Sequence, residues 1–236
     1  MAARAALITG ASRGIGLAVA AALGEDGYGL TLTARKPDGL AAAAAALSEQ
    51  GYEVVSLAAD VADEDGLKAV VALHRSTYGR LDVLVNNAGV GIGAAAGEHT
   101  TKAIDMQLGV NLRSVVILYR ECVELLKADG GAQVINLASI AGKSPQPWLS
   151  VYAATKAAVI AYTEAMNREL AGEGVRSAAI CPGFVDTDMT EFIRASVKPE
   201  DMISTSDIVS AVRFLLSLSK AALVPEIVIG RPGESL

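Results

Sequence analysis

The chain has 236 residues, with 20 Lys and Arg against 26 Asp and Glu, for a net charge of −6. That length allows one sizeable core and is short for two, and the acidic balance argues against non-specific binding to nucleic acid or an anionic membrane. Hydrophobic residues make up 52% of the chain, yet 43 positions are alanine and only ten are aromatic. With charged residues at 19% and a mean hydropathy of +0.39, this is the composition of closely packed helices and not of disorder.

Strand-like runs at 5–9, 29–34, 53–57, 81–85, 132–137, 175–180 and 225–229 alternate with helical stretches at 15–26, 39–50, 64–78, 100–127, 151–172 and 206–219. This alternation predicts an α/β fold: a single doubly wound domain over residues 1–236, about seven parallel strands with helices on both faces. The first strand begins so early that no signal peptide is expected. The apolar run 41–47 is too short to span a bilayer. Two cysteines, Cys122 and Cys181, cannot build a disulfide framework, so a cytoplasmic setting is expected. The long stretches 100–127 and 151–172, the second rich in alanine, suit either close packing on the sheet or an interface between subunits.

The first strand runs into Thr9-Gly10-Ala11-Ser12-Arg13-Gly14-Ile15-Gly16 and then a helix. A glycine-rich turn at that place lets the backbone approach a pyrophosphate, while the helix N-terminus offers unpaired N–H groups and partial positive charge. The second strand ends Thr33-Ala34-Arg35-Lys36. An acid there would bond the 2′-OH of an NAD ribose. This chain has two cations instead, and Arg13 in the glycine loop adds a third. The pattern favours the 2′-phosphate of NADP(H).

Ser139 follows the fifth strand. Tyr152 and Lys156 follow at i and i+4 near the start of a helix, so they share one face. A free phenol titrates near 10, too high for a base at neutral pH, and a nearby ammonium is expected to lower it. Alone, Tyr-x-x-x-Lys is as consistent with an ordinary helix surface pair. His74 and His99 have no metal-ligand spacing around them, so no metal is expected, and Cys181 is expected to be a buried filler.

Taken together the chain resembles the short-chain dehydrogenase/reductases from end to end, and its cofactor loop and Cys181–Thr190 segment are close to the 3-oxoacyl-carrier-protein reductases among them. The motifs are Gly10, Ser12, Arg13, Gly14, Ile15 and Gly16 in the first loop, Asp60-Val61, Asn86-Asn87-Ala88-Gly89, Asn111, then Ser139, Tyr152 and Lys156, and Pro182-Gly183-Phe184-Val185-Asp186-Thr187. The resemblance implies a Rossmann fold binding NADP(H) and interconverting a carbonyl and an alcohol by hydride transfer. In it Tyr152 is the general acid/base, and Lys156 lowers its pKa and bonds the nicotinamide ribose. Ser139 orients the substrate oxygen, and Asn111 holds a water relaying protons from Lys156. Asp60-Val61 bracket the adenine, Asn87, Ala88 and Gly89 line the cofactor, and Pro182, Gly183, Val185 and Thr187 fix the carboxamide. Arg35, with Lys36 beside it, selects the 2′-phosphate. The expected partners are a small-molecule carbonyl or alcohol and further copies of the chain as homodimer or homotetramer, with neither nucleic acid nor membrane.

Carrier-protein reduction is the alternative, since the ending 223–233 lacks the Asp-Gly-Gly those reductases typically carry. A non-catalytic NADP(H) sensor is a further one. Loop 140–150 and segment 188–205 are expected to line the substrate pocket with Lys143, Trp148, Met189, Phe192, Ile193, Met202 and Ile203, mostly apolar with a lysine at the rim.

Overall fold

The computed structural model describes residues 2–233. Seven strands, β1 (Arg4–Thr9), β2 (Tyr28–Ala34), β3 (Val54–Ala58), β4 (Val83–Asn86), β5 (Gln133–Leu137), β6 (Arg176–Pro182) and β7 (Glu226–Ile229), form one sheet. Its order is β3-β2-β1-β4-β5-β6-β7 and every pairing is parallel. The helices are α1 (Gly14–Glu25), α2 (Pro37–Glu49), α3 (Glu64–Tyr78), α4 (Thr101–Leu108), α5 (Ser114–Lys127), α6 (Ser150–Glu169) and α7 (Thr205–Ser217). This is the doubly wound fold expected from the alternation.

Side chains alternate across a strand, so one short run feeds two cores. Ile8, Leu30, Leu32 and Val85 join Val19, Leu23, Leu47 and Val212 from α1, α2 and α7. Leu7, Leu84 and Val134 face the other way and join Leu67, Leu118, Leu126 and Val159 from α3, α5 and α6. Burial on both faces is why the central strands carry few charged residues. Strand order reverses between β1 and β4, and the crevice outside their carboxyl ends is where such sheets take a ligand.

The predicted helix 100–127 is not one helix. α4 stops at Leu108, residues Gly109–Arg113 make a π-helical turn, and α5 starts at Ser114. The cause is Asn111, whose carboxamide accepts from the Val90 N–H (2.8 Å) and donates to the Val90 carbonyl (2.9 Å) and to Thr155 Oγ1 (3.0 Å). An extra residue in the turn brings that side chain to the loop after β4, and single π turns of this kind gather at functional sites. The second long stretch, predicted as 151–172, is helical over Ser150–Glu169 and leaves through a short 3-10 turn at Ala171–Glu173.

Candidate active site

The glycine loop is shaped by what lies beneath it. Asn87 Nδ2 donates to the Thr9 and Gly10 carbonyls at 2.8 and 3.2 Å, and Thr9 Oγ1 accepts from the Asn87 and Ala88 N–H groups at 3.0 Å each. Gly10 sits at φ +65°, and a Cβ on Gly16 would lie 2.4 Å from both Asn87 Nδ2 and the Gly10 carbonyl oxygen. Any side chain there would push the loop off β4. Asn87 thus acts through its side chain on the loop, a role its sequence motif does not reveal.

The residues fit a bound dinucleotide. The first residue of α1 follows Arg13, which is extended and makes no side-chain cap, and the first turn holds no acid. Its N–H groups therefore point outward without a side-chain partner, an arrangement suited to a pyrophosphate. By contrast α3 is capped by Asp63, which accepts from the Asp65 and Gly66 N–H groups. Beyond β2, Arg35 and Lys36 are exposed and make no ion pair among the described residues. Lys36 leaves α2 equally uncapped, and Ser12 lies against Gly39 in its first turn. Asp38-Gly39 reads in the sequence as the cap of this helix, but the helix starts earlier, with Lys36 at the N-cap and Asp38 as an acid in its first turn.

Arg13 makes an ion pair that its local sequence does not mark. Its guanidinium meets Asp188 Oδ2 at 2.5 Å, joining the glycine loop to the segment after β6, with both side chains exposed. Asp60 folds back to accept from the Ala62 N–H at 3.0 Å, and Val61 is buried beside it. Pro182 ends β6. Gly183 donates to the Ile229 carbonyl and Val185 pairs with Ile203, while Thr187 comes within contact distance of Gly14. Segment 183–187 therefore closes over the N-terminus of α1.

Ser139, Tyr152 and Lys156 converge at the carboxyl end of β5. Ser139 Oγ accepts from the Ala141 N–H at 3.1 Å, and its hydroxyl lies near enough to the Tyr152 phenol to lower its pKa. Lys156 is buried, donates to the Leu137 carbonyl at 2.6 Å, and holds its ammonium 5.8 Å from the centre of the Tyr152 ring. Burial pulls the Lys156 pKa down to about 8. Burial also pushes the Tyr152 phenol above its ordinary range, and the Ser139 hydroxyl draws it part way back. The sequence led us to expect a phenol lowered by the lysine. Burial is the largest influence on the phenol in this pocket, and a phenol that keeps its proton is poised to give it away.

At the mouth, Lys143 is not a free rim cation, since it meets Glu226 of β7 at 2.6 Å. Trp148, Met189 and Phe192 are exposed, and Met202 and Ile203 are buried behind them. His74 is a core residue, its ring held between Thr31 Oγ1 and the Arg80 carbonyl at 2.8 Å each. Cys122 and Cys181 are buried free thiols, Cys181 pushed up to about 12 by burial. Among the described residues, no group of three or more His, Cys, Asp or Glu could hold a metal ion, and no helix is long and apolar enough to cross a membrane. Asp188, Glu226 and Thr155 are site neighbours that sequence reasoning missed; each depends on a contact between distant segments and has no local signal.

Residues 4–198 match the family model described as short chain dehydrogenase. The 3-oxoacyl-(acyl-carrier-protein) reductase FabG of Staphylococcus aureus is 35% identical over 225 residues, which cover 91% of each chain. Among solved structures, an alcohol dehydrogenase from the archaeon Thermococcus sibiricus, complexed with 5-hydroxy-NADP, superposes with a TM-score of 0.87 at 33% identity, covering 96% of this chain and 95% of that one. A metagenomic short-chain oxidoreductase in complex with NADP gives 0.83 at 30% identity, with coverage of 97% and 96%.

Proposed function

The chain belongs to the short-chain dehydrogenase family, and we propose on that basis that it reduces a small ketone or aldehyde to the alcohol, or runs the reverse, with Tyr152 moving the proton. It is an NADP(H)-dependent oxidoreductase acting on CH–OH groups. The observation that carries the proton assignment is the convergence of Ser139, Tyr152 and buried Lys156 at one strand end. When bound, the nicotinamide supplies or accepts the hydride. Tyr152 gives its phenolic proton to the carbonyl oxygen in reduction and takes it back in oxidation. Ser139 hydrogen bonds the same oxygen. Lys156 stabilises charge on the phenolate left behind and bonds the ribose. Asn111 spends its side chain on Val90 and Thr155, so its contribution is to fix the loop after β4 against α6, and a relay water would use its backbone. Gly10, Ser12, Gly14, Ile15 and Gly16 would hold the pyrophosphate, Arg35 and Lys36 with help from Arg13 the 2′-phosphate, Asp60 and Val61 the adenine, and Pro182, Gly183, Val185 and Thr187 the carboxamide, with Asn87, Ala88 and Gly89 lining the cofactor. NADPH consumption against a panel of carbonyls tests the reading. Cofactor binding without any turnover would leave only the sensor alternative.

The pH dependence follows from Lys156. Its charged form serves the phenolate, so kcat/KM for NADPH in reduction should fall as pH rises through about 8. The sign for stability is opposite. A lysine whose folded pKa lies below its unfolded value releases a proton on folding, so between about 8 and 10.5 its contribution to stability grows with pH. An alkaline loss of rate with no loss of thermal stability is the expected pair of results. A flat rate profile up to pH 10 would refute the Lys156 role.

A second reading, reduction of a 3-oxoacyl group on a carrier protein, is favoured by what relatives such as the Staphylococcus aureus reductase are called. An acidic carrier needs basic residues to dock. Lys127 at the end of α5 lies 4.0 Å from Glu124 and 3.9 Å from Glu173, which neutralises that edge. Comparing a 3-oxoacyl carrier-protein conjugate with a simple ketone at equal concentration separates the readings.

The same proposal includes a homodimer or homotetramer in the cytoplasm. Its support is an apolar hollow of about 360 Å³ on the outer face of α4 and α6, lined by Ile104, Leu108, Leu112, Val151, Ala154 and Ala158. Leu108 and Val116 stay exposed on this surface, as alanines do beside them. Light scattering at micromolar concentration should return twice or four times 24.2 kDa, and Leu108→Lys should shift the mass downward. A wild-type monomer would remove the oligomer from the proposal.

A further inference from the structure

Aromatic rings are scarce in this chain, and their placement is uneven. It has one Trp and three Phe, and none of the four lies in the buried core. Three of them meet at the mouth of the site. Trp148 and Phe192 are edge to face with centroids 6.0 Å apart, and Phe192 meets Phe184 in the same way at 6.4 Å. Trp148 holds its place at a cost, with φ +65°, a region that bulky residues avoid. Its carbonyl accepts from the Ala94 N–H at 2.8 Å, and its indole covers Gly93 so closely that a Cβ there would lie 2.1 Å from the ring. Two residues earlier, a Cβ on Gly91 would lie 3.6 Å from the Tyr152 ring. An extended dipeptide spans roughly 7 Å, so the indole stands about one ring-bearing side chain away from the proton donor. Trp148 is 48% and Phe192 61% exposed, which leaves ring surface for a ligand.

The cations around this wall are already engaged, while Glu191 beside Phe192 is exposed and makes no ion pair among the described residues. Lys143 is paired with Glu226, Arg194 with Asp186 and Arg13 with Asp188, while Arg231 lies over the Phe184 ring at 5.4 Å. We infer that Trp148 and Phe192 form a specificity wall selecting an uncharged ketone that carries an aryl group a few bonds from its carbonyl. This rests on the reductase reading above and adds the substrate class to it. Aromatic pairs gain an edge-to-face or offset-stacked attraction beyond the area they bury, which a saturated ring of equal size does not share.

Trp148 is the only tryptophan, so its emission reports on the wall directly. The enzyme saturated with NADP+ is titrated with benzylacetone and with its cyclohexyl analogue. Benzylacetone should bind about tenfold more tightly and change the Trp148 emission. Phe192→Leu, an exposed position, should bring the two ketones to within about twofold of each other, while Phe214→Leu on α7 should keep the preference. Equal affinities in the wild type, or a preference unchanged in Phe192→Leu, would overturn the wall. With NADPH in place of NADP+, equal kcat/KM for the two ketones would overturn it too, with the reductase reading intact. Preferential binding of benzylacetone with no NADPH consumed by any carbonyl would instead overturn the reductase reading and leave the wall standing.

Discussion

Replacing Tyr152 by Phe should lower kcat by about 10²–10⁴, the usual worth of a positioned general acid or base, while NADPH binding changes little. The substitution removes one oxygen. The ring remains near the Lys156 ammonium. The glycine loop, its Asn87 support and the uncapped N-terminus of α1 are untouched. Stopped-flow hydride transfer measures the chemical step, and quenching of protein fluorescence by NADPH measures binding. Ser139→Ala should cost less, since it removes a partner of the phenol and leaves the proton donor in place. Turnover near the wild-type rate in Tyr152→Phe would mean that another group delivers the proton.

The paired change Ala34→Asp with Arg35→Ala should move coenzyme preference from NADPH toward NADH by about tenfold to a hundredfold, the scale of one or two hydrogen bonds to a charged group. The 2′-phosphate carries roughly −1.5 to −2 charges near pH 7 by analogy with other phosphate monoesters. Arg35 and Lys36 are exposed and unpaired among the described residues, so both are available to it. Arg13 meets Asp188 through a solvent-exposed ion pair, which a 2′-phosphate would have to replace for Arg13 to assist the strand end. Ala34 is only 6% exposed and packs with the α1 and α2 face of the core. An aspartate there is desolvated until a ribose hydroxyl bonds to it, so the double variant should melt lower without cofactor and be rescued by NAD+ more than by NADP+. If the wild type uses NADH as well as NADPH, Arg35 and Lys36 are merely a solvated strand end.

Much of the architecture was legible in the residues themselves. Runs such as 5–9 and 29–34 are free of charge and rich in apolar residues and threonine because parallel strands are covered on both faces, and helices of period 3.6 stand between them, so alternation alone implied the sheet. Gly10 and Gly16 announced a close approach because no other residue fits there. Tyr152 and Lys156 were legible as a pair because four residues on a helix make one face.

Other features belong to the folded chain only. Helical periodicity runs unbroken through 100–127, and nothing in it marks the π turn, which exists because Asn111 is drawn to Val90 across 21 residues of chain. The direction of the Tyr152 and Lys156 pKa shifts depended on how much water the pocket excludes, a property of packing that spacing does not encode. Lys143 reads as a lone rim cation until β7 brings Glu226 to it, and nothing near Arg13 in the sequence marks the ion pair it makes with Asp188, 175 residues away. Local sequence specifies what a segment can form because those forces act within a few residues. Which charges cancel, and which rings meet at the mouth, is decided by contacts that only the tertiary fold creates.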